Sequence, residues 1–358
     1  MADGAAEAVT AVEPAAGKRW TPRLYRPGDE TGILALFREV AGTPRSLAHW
    51  EWKYRNNPGG PILVAVAEAE GGRIVGHYAT IPARARVGGR PCRMIQVIDS
   101  LVAADFRQGL KRPGLFVQLA LFYFQCVDQV RAPEPGKPEA EVRFMGYGFP
   151  VQTALRIGER LLGYTRLAQI GSLAASSDEL GRRLQQTWQE AAYGIRVTDG
   201  VDASADRLWT RCADELPTAT VRDQRYLNWR YRDCPDQTYR FLLAENRFTG
   251  ELEGLAVLRC GWLDRPVVAI ADWLVPGRAL GAASALLRAT LETARAERSG
   301  EIAAWFPSHF AIYMDLVALG FRPVANDYWL VARSFGSPLP PEEAGPTWYY
   351  TLGDSDIV

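Results

Sequence analysis

A chain of 358 residues that is 47% hydrophobic is long enough for two domains, each with its own core. Its 41 basic side chains balance 41 acidic ones, so no whole-chain charge favours nucleic acid or an anionic membrane. Five scattered cysteines without a CxxC pair and three distant histidines argue against a disulfide scaffold and a His-rich metal site; a reduced, cytoplasmic protein is expected, without a metal.

In chain order, "MADGAAEAVTAVEPAAGK" lacks a basic start and a continuous apolar run, so residues 1–20 read as a disordered tail and not a secretory leader. "PRLYRP" predicts a short strand and "DETGILALFREV" a helix with Asp29 at its cap. "SLAHWEWKYRN" predicts a second helix, and "ILVAVAEAEGGRIVGHYATIPARARV" a hairpin turning at Gly71 and Gly72. A strand "RMIQVIDSLVA" is followed by a helix over 113–130, whose apolar run is too short to cross a bilayer. "VRFMGYGF" predicts a strand, 151–162 a helix, and "TRLAQI" a closing strand.

"SSDELGRRLQQTWQEAA" predicts an amphipathic connecting helix. The hairpin, strand and helix order then returns. "RFLLAENRFTGELEGLAVLRC" turns at Thr249 and Gly250, and "VVAIADWLV" is a strand. A helix from Arg278 puts Leu280, Leu287, Leu291 and Ala294 on one face, before a strand "EIAAWF" and a helix over 309–318. "GSPLPPEEAG" leads into a terminal strap, "TWYYTLGDSD".

The chain also repeats itself in residues. "HWEWKYRNNP" matches "YLNWRYRDCP", pairing Trp52 with Trp229, Tyr54 with Tyr231 and Arg55 with Arg232. "DSLV" from Asp99 answers "DWLV" from Asp272, and "GFPVQTALRIGERLLGY" answers "WFPSHFAIYMDLVALGF". Three matches in one order predict two copies of one α+β domain, each a mixed, mostly antiparallel twisted sheet flanked by helices. The expected units are 21–175, a linker over 176–205, a second copy over 206–335, and a loop and strap over 336–358. The repeated aromatic and arginine residues read as stacking platforms for a sugar or base or, at helical spacing, as core anchors with arginine stems packed on the rings.

Between the strand "RMIQVIDSLVA" and the helix that follows, "DFRQGLKRPG" concentrates cations and glycines. A strand, loop and helix in this order hold an anion when the loop turns its N–H groups inward, because a helix N-terminus carries partial positive charge. Arg107, Lys111 and Arg112 supply charge-assisted bonds, and Gly109 and Gly114 allow close backbone approach.

The element order, "DSLVAADFR", the glycine-containing loop and "GFP…LGY" together resemble the GNAT superfamily of acyl-CoA-dependent N-acetyltransferases, here as a tandem pair. The resemblance implies an acyl-CoA cosubstrate, most simply acetyl-CoA, and a small-molecule amine as acceptor. It implies that backbone groups of Leu101, Val102 and Ala103 hold the thioester, and that Arg107, Gln108, Gly109, Lys111, Arg112, Gly114 and Leu115 hold the diphosphate. The family's loop usually places glycine where this chain has Leu110. Arg278, Gly281 and Ala283 match that loop formally in the second copy, where a helical start with small residues is the competing reading, so acyl-CoA is assigned to the first copy.

The family often draws its acid from a tyrosine in the helix after the Phe-Pro segment, where this chain has Gly158 and Glu159. Tyr147 is the substitute acid or a core tyrosine. His77 is a base beside the site or a structural histidine. Asp99 orients a substrate ammonium or ties a strand end. Two other readings are a Fem-like transferase using aminoacyl-tRNA and an inactive protein that binds CoA or a partner.

Overall fold

A computed structural model describes residues 19–107, 114–131, 143–262 and 265–356. The first half builds strands β1 (Trp20–Leu24), β2 (Leu63–Ala69), β3 (Ile74–Val87), β4 (Arg90–Val102), β5 (Phe144–Gly148) and β6 (Thr165–Gln169). Helices α1 (Glu30–Ala41), α2 (Leu47–Trp50), α3 (Leu115–Arg131) and α4 (Gln152–Leu161) lie among them. The second half continues with β7 (Ser172–Ser176), α5 (Ser177–Arg183), β8 (Tyr193–Thr198), α6 (Ser204–Cys212), β9 (Ala219–Thr220), α7 (Gln224–Leu227) and β10 (Tyr239–Asn246). It ends with β11 (Leu252–Trp262), β12 (Arg265–Leu274), α8 (Leu280–Ala296), β13 (Glu301–Trp305), α9 (Ala311–Ala318), β14 (Arg322–Pro323), β15 (Trp329–Phe335) and α10 (Pro341–Ala344).

Local chemistry accounts for most of these elements. β2 opens on the run Leu63–Ala67, buried throughout, as an apolar strand covered on both faces must be. Gly71 and Gly72 both take positive φ, 88° and 83°, and so reverse the chain between β2 and β3 at little steric cost. Asp29 does precede α1, but its carboxylate makes no cap bond; it accepts from Arg23 at 2.6 and 2.8 Å. Ser46 does cap α2, accepting from the His49 N–H at 3.0 Å. That helix then widens into a π-helical turn over Glu51–Arg55. The second repeat copies the device: Asp223 caps α7, and a π-helical turn follows over Asn228–Arg232.

Two mixed sheets result. The first runs β1-β2-β3-β4-β5-β15-β6, with β9 added beside β3; the second runs β14-β7-β13-β12-β11-β10-β8. Each sheet is mostly antiparallel, with one parallel pair: β4 with β5 in the first and β12 with β13 in the second. β15, at the end of the second repeat, inserts between β5 and β6 of the first sheet. β7, at the end of the first repeat, inserts between β13 and β14 of the second. The two repeats therefore exchange a strand.

Gly171 makes the crossing possible. A Cβ there would come within 2.1 Å of the Phe306 carbonyl, and the backbone instead accepts the Phe306 N–H at 3.0 Å.

The structure differs from the sequence reading at the join and in α8. The predicted connecting helix shrinks to α5, which is seven residues long. The predicted linker also contains β8, the edge strand of the second sheet, paired with β10. In α8, Leu287, Leu291 and Ala294 are buried as expected, but Leu280 is exposed because it opens the helix before that face meets the sheet. Among the described residues, no helix is long and apolar enough to cross a membrane.

The repeated aromatic segments meet each other. Trp52 and Trp229 stack with centroids 5.6 Å apart, and each indole N–H donates to the other's backbone carbonyl, at 2.6 and 2.8 Å. This reciprocal clasp relates the repeats by an approximate twofold. One of two core clusters joins residues of both sheets around it, from Met94 and Met145 to Leu258 and Ile270; the other fills the first repeat between α1, α3 and its strands.

Candidate active site

In the first sheet β4 pairs with β5 only from Arg93 to Gln96. Beyond that point β4 continues to Val102 along β3 alone, so among the described residues no strand pairs with its other edge. The Ala103 N–H bonds the Val75 carbonyl of β3 at 2.9 Å. By the alternation of an antiparallel ladder, the N–H of Val102 then points to that other edge. Its carbonyl accepts from Arg107 Nε at 3.0 Å, which folds that side chain back over the strand end.

The chain re-enters at Gly114, whose carbonyl accepts the first helical N–H groups of α3, from Val117 and Gln118. The N–H groups at the start of this 17-residue helix have no intrahelical acceptor. A Cβ on Gly114 would meet no atom of the described residues within 4 Å. Leu115 is buried against Gly76 and anchors the helix start to β3. Gln108, Gly109, Lys111 and Arg112 lie outside the described residues.

A bulge sits in β4 where that edge begins. The register slips so that Tyr78 faces both Asp99 and Ser100, and Asp99 takes a φ of 50°. Left-handed backbone is costly for a residue with a Cβ, so the surroundings must hold it there. They do so through the side chain: the Asp99 carboxylate accepts from Tyr54 Oη at 2.5 Å and Arg45 at 3.0 Å, and meets Lys53 Nζ at 3.1 Å. Burial pushes this carboxyl up, but Lys53, Arg45 and the Tyr54 hydroxyl outweigh it and hold it below the usual carboxylate range.

His77 holds the backbone side of the same bulge. A carbonyl can only accept, so the contact of 2.7 Å between His77 Nδ1 and the Asp99 carbonyl puts the ring proton on Nδ1. The ring is fully buried, between Phe37 and Tyr54, and burial lowers its pKa, so it is neutral. His77 therefore does not reach a cleft: it fastens the bulge, as Asp99 does. Tyr147 is not placed as an acid either. It is buried under the terminal strap, and its hydroxyl donates to the Asp354 carbonyl at 3.3 Å. Glu159, half-buried on α4, pairs with Arg166, and Gly158 packs on the Tyr164 ring.

The second repeat carries the same cluster with a different outcome. Asp272 accepts from Tyr231 at 2.8 Å and from Arg222 at 2.7 Å, matching Asp99, Tyr54 and Arg45. Here the strap closes over everything. Asp354 pairs with Arg222 from the other side, and the Tyr349 hydroxyl donates to the Trp273 carbonyl of β12 at 2.6 Å. Gly353 lies so close that a Cβ would be 2.8 Å from the Ala271 carbonyl. The edge of β12 past its pairing with β13 is thus covered by the chain itself. The formal loop match at Arg278, Gly281 and Ala283 is a helix start: a Cβ on Gly281 would be 2.6 Å from the Gln189 carbonyl, so that glycine serves packing.

Between the repeats lies a cavity of about 370 Å³, lined by Arg45, His49 and Lys53 from the first repeat and by Arg230, Asp236 and Arg259 from the second, among others. Arg45 precedes the Ser46 cap, His49 lies in α2 and Lys53 in the π-helical turn that follows, so one short segment brings all three to the cavity. Two of the three grip Asp99, so the cavity adjoins the bulge. His49 Nδ1 lies 2.6 Å from the Asp236 carboxylate. Sequence reasoning passed over this pair because its members are far apart in the chain and Asp236 sits in a loop without a motif; the one available signal was that His49 stands where the second repeat has Tyr226. Among the described residues, no group of three or more His, Cys, Asp or Glu side chains could hold a metal.

No family model and no curated protein matches this chain. Its shape, however, is shared with solved structures. A GCN5-related N-acetyltransferase from Anabaena variabilis ATCC 29413 superposes with a TM-score of 0.64 at 12% identity, over 87% of this chain and 72% of that one. One from Kribbella flavida gives 0.59 at 15% identity, over 90% and 72%. A tandem GNAT protein from the clavulanic acid biosynthesis pathway gives 0.57 at 16% identity, over 90% of this chain and 100% of that one. The fold is therefore that of the GNAT N-acetyltransferases. Its form is the tandem one, with two such units in a single chain.

Proposed function

We propose that this protein is an acyl-CoA-dependent N-acyltransferase that binds its cosubstrate, acetyl-CoA in the simplest case, on the first sheet and acylates a small-molecule amine. The observation that carries this reading is the asymmetry of the two strand edges. In the first sheet no described strand pairs with the edge of β4 past Gln96, which leads to the start of α3; in the second the strap occupies the matching edge of β12. One acyl-CoA per chain follows.

On this reading the thioester lies along β4, with the Val102 N–H donating to the carbonyl oxygen as negative charge develops on it. Leu101 and Ala103 flank that donor. The diphosphate lies on Arg107, Gln108, Gly109, Lys111, Arg112, Gly114 and the first turn of α3 from Leu115. Asp99 and His77 hold the bulge that keeps this edge turned outward. Tyr147 is committed to the strap and takes no part in proton transfer. Most of the acceleration comes from holding the amine and thioester together.

Calorimetric titration tests the reading. Acetyl-CoA is expected to bind with a stoichiometry of one, and Arg107→Ala to weaken it about tenfold. Thiol release then follows with an amine panel. Two equivalents per chain, no binding of any CoA ester, or heat only with aminoacyl-tRNA each overturn the assignment.

A further inference from the structure

The cavity between the repeats contains a side-chain arrangement that the twofold does not repeat. His49 comes from the first repeat and Asp236 from the second. Their counterparts under the repeat are Tyr226 and Gly59, so the molecule makes this pair once. Asp236 can only accept as a carboxylate, so the short contact fixes the proton on Nδ1 and leaves the lone pair on Nε2. That nitrogen has no hydrogen-bond partner among the described residues. Burial, then Lys53 and Arg45, lower the His49 pKa to about 4 against the pull of Asp236, so the ring is neutral, with its Nε2 lone pair unprotonated, at neutral pH.

Arg259 lines the same cavity from β11. Its Nε is buried without a hydrogen-bond partner, and it has no ion pair among the described residues. The other cations of the cavity are engaged: Arg45 and Lys53 with Asp99, and Arg230 with the Gly353 and Ser355 carbonyls. An uncommitted guanidinium in a half-buried wall suits a carboxylate, which it can meet with two parallel hydrogen bonds.

We propose that this cavity is the acceptor site, that its occupant is a small amine bearing a carboxylate, and that His49 is the general base, oriented by Asp236, with Arg259 holding the carboxylate. The proposal rests on the acyl-CoA reading above. The amine nitrogen forms the N–C bond with the thioester carbon, and the C–S bond breaks with its electron pair on sulfur. The surplus proton of the nitrogen passes to His49 Nε2 and on to solvent, while the thiolate takes a proton from solvent. The bound carboxylate adds negative charge near a ring that shares the cavity with Arg45, Lys53, Arg230 and Arg259, with Asp236, and with Asp356 of the terminal strap, which also lines it. It therefore raises the His49 pKa towards the working range in the ternary complex.

The test uses the full chain with acetyl-CoA, a panel of amino acids, and the matching amines and amides that lack the carboxylate. The amino acids are expected to exceed their decarboxylated partners at least tenfold in kcat/KM. Arg259→Met is expected to erase that preference through KM. His49→Gln is expected to lower kcat about a hundredfold and remove the acidic limb of its pH profile, with acetyl-CoA affinity by calorimetry unchanged. Asp236→Asn is expected to act in the same direction with a smaller loss.

Wild-type turnover by His49→Gln, equal use of amines without the carboxylate, or no turnover of any carboxylate-bearing amine by a protein that binds acetyl-CoA overturns this inference alone. Failure of the wild-type chain to bind acetyl-CoA overturns the acyl-CoA reading and this one with it.

Discussion

The two repeats set the same three side chains around the same bulged strand and then part ways. Around Asp272, Arg222 is completely buried, with Asp354 supplied by the strap as a second carboxylate. Around Asp99, Arg45 keeps 32% of its side chain exposed at the wall of a cavity. One arrangement has been closed into a structural core and the other left open at a site. The two repeats carry clusters of one design, and the terminal strap packs Asp354 and Tyr349 onto the second of them.

That contrast can be broken at several points. The largest effect is expected at Arg222. Arg222→Ala leaves Asp272 and Asp354 buried without their cation and should cost about 4 kcal/mol in urea unfolding. Trp52→Ala, which removes half of the clasp and leaves a cavity, should cost about 3 kcal/mol. Trp229→Ala should cost a similar amount, and the double variant less than the sum because the two rings share their bonds.

Arg45→Ala, at the open copy of the cluster, should cost only about 1 kcal/mol, since Lys53 and Tyr54 still hold Asp99. If Arg45 proves as costly as Arg222, the distinction between a closed and an open cluster fails. The pH dependence sharpens it. With its carboxyl held below the usual range, Asp99 contributes its full stabilisation above about pH 4 and loses it as the pH falls through the folded-state value. Asp99→Asn should therefore lower stability at neutral pH and flatten the acid limb of the stability curve.

The smallest structural effect is expected at Gly114→Ala, where a Cβ meets no atom of the described residues. Stability should change by less than about 0.5 kcal/mol, while acetyl-CoA affinity falls if the diphosphate rests on that backbone. Unaltered affinity would move the diphosphate elsewhere on the loop.

Much of the architecture was legible from residues. The duplicated WKYR and WRYR segments, the DSLV and DWLV strands, the Gly71–Gly72 reversal and the long apolar helix after the loop are all local patterns, and each forms where its pattern falls. The candidate site was legible only as a strand edge and a loop. His77, singled out for its pKa and position, proved to be a fastener. His49, which stood in a segment read as core, lines the cavity.

The sequence by itself determined which faces are apolar, where the chain turns, and that one domain occurs twice. These follow from side-chain periodicity and from residues that restrict or free the backbone, and both act over a few positions. Only the tertiary structure decided that β7 and β15 change places, that the strap packs onto one of two matching clusters, and that His49 meets Asp236 across the joint. Sheet pairing is made by backbone groups that every residue carries, so a strand does not state in its side chains which sheet will take it. Contacts between distant segments come into being only when the packed core brings those segments together.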